Sequence, residues 1–219
     1  MKNIGDILLM ILPLLFAITA HEAAHAFAAK YYGDTTAEKL GRLTFNPVAH
    51  IDPIGTILVP LGMMLFSTAL GVSGIIFGWA KPVPIVVGNF KNPRQGMRMT
   101  ALAGPVSNLI QMFIWGAILA GSTFVPETFS KALSIMSYYG IMINAVLFTL
   151  NMLPIPPLDG SRVVDSFLPY NLSRKYNQLE QYGMFIVLFL LMSGVLSYIM
   201  MPIVMLLIKI TTLLFNISL

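Results

Sequence analysis

Two histidines and a glutamate lie close together near the start of the chain, in the sequence His21-Glu22-Ala23-Ala24-His25. Histidines four residues apart on a helix share one face, so both imidazoles can bind the same metal ion. Zinc is the usual ion for such a pair, and a glutamate that follows the first histidine can act as a general base on a metal-bound water. The spacing predicts His21 and His25 as metal ligands and Glu22 as the base.

The surroundings of this motif are apolar, which argues against a chance match or a merely satisfied polar patch. The motif lies within the run Ile4 to Ala29, which consists mainly of hydrocarbon side chains. Ionisable residues are costly inside a membrane span and usually have a function there. Three of them within five residues need a common partner, and a divalent cation is the simplest one.

The composition indicates a polytopic membrane protein. Of the 219 residues, 57% are hydrophobic and 10% are charged, whereas average globular domains have roughly 25% charged residues. The net charge of +4 comes from basic residues in loops between apolar runs, as the positive-inside rule predicts, and does not indicate a nucleic-acid partner. The sequence has no cysteine, so a metal must be bound by His, Asp, Glu or water.

The apolar runs predict an all-α bundle of about five or six membrane segments. We expect a single membrane-embedded domain over residues 1–219, with a core at about residues 5–165 and C-terminal helices within about residues 176–219. The C-terminal stretch is too long for a single comfortable span, so we expect it to form one or two further helices.

The apolar stretch 54–78 has basic residues on both sides, such as Lys39 and Arg42 before it and Arg94 and Arg98 after it. The positive-inside rule places both flanks on the cytoplasmic side, whereas a single crossing would separate them. We therefore predict a re-entrant hairpin, which the glycines of this stretch permit.

Two short segments, 41–46 and 83–87, alternate enough to predict short β-strands near the cytoplasmic side. A peptide substrate must be extended, since a helix hides its amide carbonyls. The edges of these strands are therefore expected to bind substrate by β-addition, unless the strands pair only with each other.

A catalytic zinc site usually has three protein ligands and a water, so a third ligand must come from elsewhere in the chain. Candidates near the same predicted membrane face are His50, Asp52, Asp159 and Asp165. Asp159 is favoured, because it follows a predicted span on an extended segment stiffened by three prolines. Asp165 is typical of a surface and Asp52 of a turn, whereas His50 is expected to be a substrate contact or an interfacial residue.

Three motifs, in this order and spacing, resemble the site-2 protease family, peptidase family M50, in its short prokaryotic form. They are His-Glu-Ala-Ala-His at residues 21–25, Ala-Gly-Pro-Val-Ser-Asn at residues 103–108, and Asn-Met-Leu-Pro-Ile-Pro-Pro-Leu-Asp-Gly at residues 151–160. The resemblance covers about residues 5–165 and implies an intramembrane zinc-dependent endopeptidase.

The resemblance also implies the roles of individual residues. His21, His25 and Asp159 would bind one catalytic zinc ion, Glu22 would be the general base, and Asn151 would lie near the reacting carbonyl. From the residues themselves, the amide of Asn151 is equally suited to stabilise an oxyanion or to join two helices.

Two further residues are expected to support the site without taking part in the chemistry. Asn108 is predicted to support a ligand or to join two helices. His50 is predicted to contact substrate or to support the site.

The expected function is hydrolysis of peptide bonds in or near the transmembrane segments of other membrane proteins, in regulated intramembrane proteolysis or clearance of membrane remnants. The expected partners are transmembrane protein substrates and the lipid bilayer, and no nucleic acid. The protein is expected in the cell membrane as a multi-pass chain with its active site toward the cytoplasmic side. The alternatives are a metal-ion transporter, which would place ionisable residues along several spans, and an inactive scaffold, against which the intact Glu22 argues.

Overall fold

The computed structural model describes residues 4–59, 62 and 78–217, which are folded mainly as α-helices. In chain order the helices are α1 (Ile4–Tyr31), α2 (Thr36–Lys39), α3 (Pro93–Gly121), α4 (Glu127–Asn151), α5 (Asp159–Asp165), α6 (Tyr170–Asn177), α7 (Glu180–Met192) and α8 (Val195–Phe215). Short 3₁₀ turns lie at Pro47–His50, Val87–Asn89 and Ser122–Phe124, and a π-helical turn lies at Pro53–Leu58.

Four of these helices, α1, α3, α4 and α8, are long and apolar enough to cross a membrane. Helix α7 is apolar but has 13 residues, whereas a span needs about 20. The described residues therefore contain four candidate spans, fewer than the predicted five or six segments. Most of the stretch 54–78, predicted as a re-entrant hairpin, lies outside the described residues.

The C-terminal region forms two helices, which is one of the two expected alternatives, and only α8 is long enough to span. The break between α7 and α8 falls at Gly194, whose φ of 76° is a left-handed conformation. A side chain is strained in this conformation, and glycine is not. The glycine thus allows the chain to leave α7 and start α8 within a few residues.

Neither segment predicted as a β-strand is one: residues 41–46 form turns, bends and irregular chain, and residues 83–86 have no regular secondary structure. The N–H groups of Val83 and Val86 donate instead to the carboxylates of Glu22 and Asp34. Pro82 and Pro84 have no N–H to offer to a ladder. The prediction failed because the alternation of side chains does not reveal where the backbone hydrogen bonds go.

Helices α1, α3 and α4 pack against one another, and α8 packs on α3 and α4. The close approach of α1 follows from its small residues, since Ala17, Ala23 and Ala26 are fully buried. Between α3, α4 and α8 lies an apolar core that includes Met112 and Ile141. The packing of α1, α3 and α4 holds the first turns of α3 and the last turns of α4 beside the histidines of α1.

Candidate metal centre

Three ligand atoms from two distant segments of the chain converge between α1 and α5. The Nε2 atoms of His21 and His25 are 3.0 Å apart, and Oδ2 of Asp159 lies 3.2 Å from the first and 3.3 Å from the second. Ligand atoms that surround zinc tetrahedrally at about 2.0–2.1 Å are about 3.3 Å from one another. The spacing of the three atoms therefore suits one zinc ion.

Hydrogen bonds on the far side of each imidazole set which nitrogen carries the proton. Nδ1 of His21 donates to Oδ1 of Asn108 at 2.6 Å, and Nδ1 of His25 donates to the carbonyl of Thr100 at 2.7 Å. In neutral imidazoles Nε2 is then an acceptor, so the lone pairs of both Nε2 atoms face Asp159. Oδ2 of Asp159 is buried without a hydrogen-bond partner among the described residues, and a cation satisfies all three atoms at once.

Gly104, on α3, provides the space in front of these atoms. A β-carbon at this position would lie 2.6 Å from Nε2 of His21 and closer still to Nε2 of His25. The absence of a side chain at residue 104 thus creates a cradle beside the two nitrogens. This space lies beside the two atoms that would bind the ion.

A buried amide network joins the first histidine to two other helices. The side chain of Asn108 accepts from His21, and its Nδ2 donates to Oδ1 of Asn144 on α4 at 2.9 Å and to the carbonyl of Ala17 at 3.2 Å. Nδ2 of Asn144 donates in turn to the carbonyl of Gly140 at 2.8 Å. Asn108 and Asn144 are both fully buried, so α1, α3 and α4 together hold the orientation of His21.

Sequence reasoning placed Asn108 in a supporting position but missed Asn144. The available signal was an amide in the middle of an apolar span, which usually has a polar partner on a neighbouring helix. The carbonyl of Thr100 gave no signal at all, because every residue has one.

Glu22 is half-buried and lies with His21, His25 and Asp159 in the wall of one cavity of about 450 Å³. Its Oε2 accepts a hydrogen bond from the backbone N–H of Val83 at 3.0 Å. The carboxylate thus shares a cavity with the three candidate ligands and is held by the backbone of Val83. The neighbouring Pro82 and Ile85 belong to the same cavity wall.

Asn151, at the end of α4, lines the same cavity. Its Nδ2 donates to the carbonyl of Leu147, one turn earlier, at 3.0 Å. An amide nitrogen carries two protons, so one remains for a group in the cavity. Asn151 therefore lies in the wall of the cavity that contains the three candidate ligands.

Asp159 is the first residue of α5, and the proline-rich segment 152–158 before it forms turns rather than the expected extended chain. The turns bring the chain back from the end of α4, and α5 packs on α3. This folding places the carboxylate opposite the histidines of α1.

The other three acidic or histidine candidates lie outside the cluster. Asp52 caps the π-helical turn, since Oδ1 accepts from the N–H groups of Ile54 and Gly55. Asp165 lies at the end of α5. His50 is 2% exposed, which excludes an exposed interfacial position, and its Nε2 donates to the carbonyl of Thr44 at 2.9 Å.

His50 lines a second, mainly apolar cavity of about 570 Å³, which shares some of its wall with the first. The shared residues are His21, Glu22, Asn151, Pro157 and Leu158. The remaining wall includes apolar residues of α1 and α4. The cluster therefore lies where a polar cavity meets an apolar one.

Asp34 follows α1 and is fully buried. Burial raises the pKa of a carboxyl group, but hydrogen bonds from Asn89, Thr36 and the N–H of Val86 outweigh it and hold the pKa of Asp34 below its usual value. The side chain is therefore an ionised anchor between the end of α1 and residues 86–89.

Comparison of the sequence with known protein families identifies one that matches most of the chain. The sequence model of peptidase family M50 matches residues 9–194. The chain belongs to peptidase family M50. The expected membership of the site-2 protease family is thus confirmed.

Curated relatives of this M50 chain are named as zinc metalloproteases. It is 40% identical over 197 residues to "Putative zinc metalloprotease YwhC" of Bacillus subtilis, covering 88% of this chain and 84% of the relative. It is 30% identical over 199 residues to "Putative zinc metalloprotease Rip2" of Mycolicibacterium smegmatis, covering 90% and 71%. No solved structure matches the chain.

Family and names together support a membrane zinc protease. They imply Zn²⁺ as the cofactor, and His21, His25 and Asp159 are a group that could hold it. The four apolar helices agree with a multi-pass membrane protein.

Proposed function

We propose that this M50 protein hydrolyses peptide bonds in or near the transmembrane segments of other membrane proteins. The observation that carries the proposal is the convergence of three ligand atoms beside Glu22, in a cavity between apolar helices. His21, His25 and Asp159 would hold zinc, which when bound supplies a Lewis acid for the scissile carbonyl and a nucleophilic water.

Glu22 is the general base of this mechanism. Its carboxylate lies in the cavity wall that contains the three ligands, where it accepts the proton of the attacking water and delivers it to the leaving amine. Asn151 lines the same cavity, and its free N–H donates to the oxygen of the tetrahedral carbon.

The two joined cavities suit an unwound apolar substrate. The scissile peptide lies in the polar cavity, and the apolar side chains next to it occupy the second cavity, of about 570 Å³, where His50 forms some of the wall. Such a substrate has left its helix, because the carbonyls of a helix are already hydrogen-bonded. We place the protein in the cell membrane with the site toward the cytoplasmic side, where the basic loops lie.

The distribution of charge disfavours a transporter. Neither residues 99–126 nor residues 132–151, which make up most of α3 and α4, contain Asp, Glu, Lys, Arg or His. An ion path along these helices would lack ionisable ligands, whereas a single catalytic centre needs none there.

The test compares purified wild type with Glu22→Gln in detergent. Bound zinc is quantified, each protein is incubated with a panel of single-span reporter proteins, and the products are identified by mass spectrometry. We expect zinc in both proteins and cleavage within or beside the span by wild type alone. Glu38→Gln, a change of the same kind at an exposed site on α2, serves as the control and should cleave normally.

Zinc in both proteins with cleavage of no reporter by either would contradict the proposed protease. Equal cleavage by wild type and Glu22→Gln would contradict the role of Glu22. Absence of zinc from wild type would contradict the ligand set.

A further inference from the structure

Residues 81–89, which we call the strap, pass over Glu22 and touch its carboxylate with one backbone group. Within the strap, Val83 N–H donates to Oε2 of Glu22 at 3.0 Å, and the prolines on either side of Val83 have no N–H. The Val83 side chain is buried against Ala26 of α1 and Ala37 of α2. The donor is therefore held in place by packing on both neighbouring helices.

The first end of the strap is tied to the segment before the π-helical turn. The N–H of Lys81 donates to the carbonyl of His50 at 2.9 Å. The carbonyl of Lys81 accepts from Nη2 of the buried Arg42 at 2.7 Å. Both backbone groups of this residue are thus fixed.

The second end is tied by Asp34 to the helix that carries Glu22. Oδ2 of Asp34 accepts from the N–H of Val86 at 2.7 Å, and Oδ1 accepts from Nδ2 of Asn89 at 2.9 Å. Oδ1 also accepts from the N–H of Thr36 at 3.0 Å. Asp34 thus closes a ring that runs from Glu22 through α1 to Asp34, and back along the strap to Val83.

This ring limits how the Glu22 carboxylate can turn. With Oε2 held by Val83, Oε1 is left to accept a proton, and the orientation of the carboxylate follows the position of the strap. Proton transfer depends steeply on such positioning, and a displacement of about 1 Å can cost on the order of 100-fold in rate.

We propose that Asp34 is a positioning residue for Glu22, acting through the strap and the N–H of Val83. The proposal rests on the proposed function of Glu22 as the base. Asp34 hydrogen-bonds to no proposed metal ligand among the described residues, and its effect on catalysis is carried by the strap.

The first experiment measures steady-state cleavage by Asp34→Asn. Asparagine has the same shape, but one oxygen of the carboxylate is replaced by an NH₂ group. That group cannot accept the hydrogen bond that the oxygen accepts in wild type. We expect kcat to fall about 10- to 100-fold, KM to change less than about threefold, and bound zinc to stay at the wild-type level. Glu38→Gln removes a negative charge from α2, close in sequence to Asp34, without touching the strap, and should retain the wild-type kcat.

A backbone variant tests the route directly. Replacement of Val83 by its α-hydroxy acid turns one amide into an ester. The change removes the N–H that donates to Glu22 and keeps the side chain of residue 83. We expect a loss of kcat similar to that of Asp34→Asn, and no further loss when both changes are combined, because both break the same contact. Losses that multiply in the double variant would overturn the proposal.

The position of the strap is measured without reference to activity. Because the chain has no cysteine, two cysteines can be introduced as the only sites for spin labels. One replaces Gly88, where a β-carbon would meet nothing within 4 Å, and the other replaces the exposed Phe129 of α4. The distance distribution should broaden in Asp34→Asn and stay narrow in Glu38→Gln. An unchanged distribution in Asp34→Asn would count against the strap as the link.

The possible results distinguish failure of the positioning role of Asp34 from failure of the proposed protease function. If wild type cleaves, Glu22→Gln does not, and Asp34→Asn keeps the wild-type kcat, only the positioning role is overturned. If wild type cleaves no reporter, the proposed function itself is contradicted. Should Asp34→Asn fail to fold, the Val83 ester decides, and a wild-type kcat of the ester would overturn the proposal.

Discussion

Gly104 and His25 are so close that no side chain could stand between them: a β-carbon at residue 104 would overlap Nε2 of the histidine. The same atom would lie 2.6 Å from Nε2 of His21. Helix α3 therefore brings bare backbone up to the two nitrogens that we propose as zinc ligands. The space beside these nitrogens is therefore bounded by α3 as well as by α1.

Gly104→Ala should consequently lose bound zinc while the helices remain folded. The added methyl group occupies the space beside both nitrogens, and the neighbouring backbone of α3 cannot move away without disturbing the packing on α1. We expect zinc affinity to fall at least about 100-fold, measured by competition with a chromogenic chelator. Gly121→Ala, at the end of the same helix where a β-carbon meets nothing within 4 Å, is the matched control. Wild-type affinity in Gly104→Ala would show that the ion does not lie in this cradle.

Asn144→Ala should weaken zinc binding although the residue does not contact the metal ligands. It removes the acceptor for Asn108, which in turn holds Nδ1 of His21. Loss of such outer partners typically lowers metal affinity about 10- to 100-fold. The buried Nδ2 of Asn108 would also lose a partner, which should cost about 1–3 kcal/mol of stability.

The measurement pairs zinc affinity with thermal unfolding in detergent. Asn177→Ala, an exposed amide on α6, controls for the loss of an amide and should change neither quantity. A stability loss in Asn144→Ala with wild-type zinc affinity would make the network structural only.

The features of the site that sequence reasoning predicted are those written in local patterns or linear motifs. His21 and His25 follow from their spacing on one helix, and Asp159 from its position after a predicted span and from the resemblance of its motif. Asn144 and Gly104 act across helix interfaces, so their importance depends on how α1, α3 and α4 are packed. No spacing along the chain determines that packing.

In the fold, too, local patterns predicted the long helices but not the contacts between distant segments. The apolar runs predicted long membrane helices, and α1, α3 and α4 are such helices. About 20 or more apolar residues in a row admit few alternatives. Part of the strap, residues 83–87, was predicted to be a strand because its residues alternate. Its N–H groups turned out to pair with the side chains of Glu22 and Asp34, which lie 61 and 52 residues away.

Asp34 should make stability depend on pH in the acid range. Its pKa in the folded protein lies below the ordinary value because Asn89, Thr36 and Val86 stabilise the carboxylate. A lowered folded-state pKa means that this contribution is complete above the unfolded-state pKa of about 3.9 and is lost as the pH falls toward the folded-state pKa. Wild type should therefore lose stability below about pH 4.

The change is measured as the difference in melting temperature between wild type and Asp34→Asn across the acid range. That difference should be largest near neutral pH and should shrink below about pH 4, because asparagine has no proton to gain. A difference that stays constant down to about pH 2 would show that the charge of Asp34 contributes nothing to the anchor.

Removal of zinc should destabilise the wild-type protein. Without a cation, the lone pairs of His21 and His25 face each other and Oδ2 of Asp159 at 3.0–3.3 Å. An ion that binds only the folded state stabilises it by about 2.7 kcal/mol at a free concentration about 100 times its Kd. Chelation should therefore lower the melting temperature of wild type by several degrees, and added Zn²⁺ should restore it. His25→Ala lacks one proposed ligand, so its melting temperature should respond far less to either treatment. If wild type is shown by elemental analysis to be free of zinc and still melts at the same temperature, the three residues do not form the site that binds it.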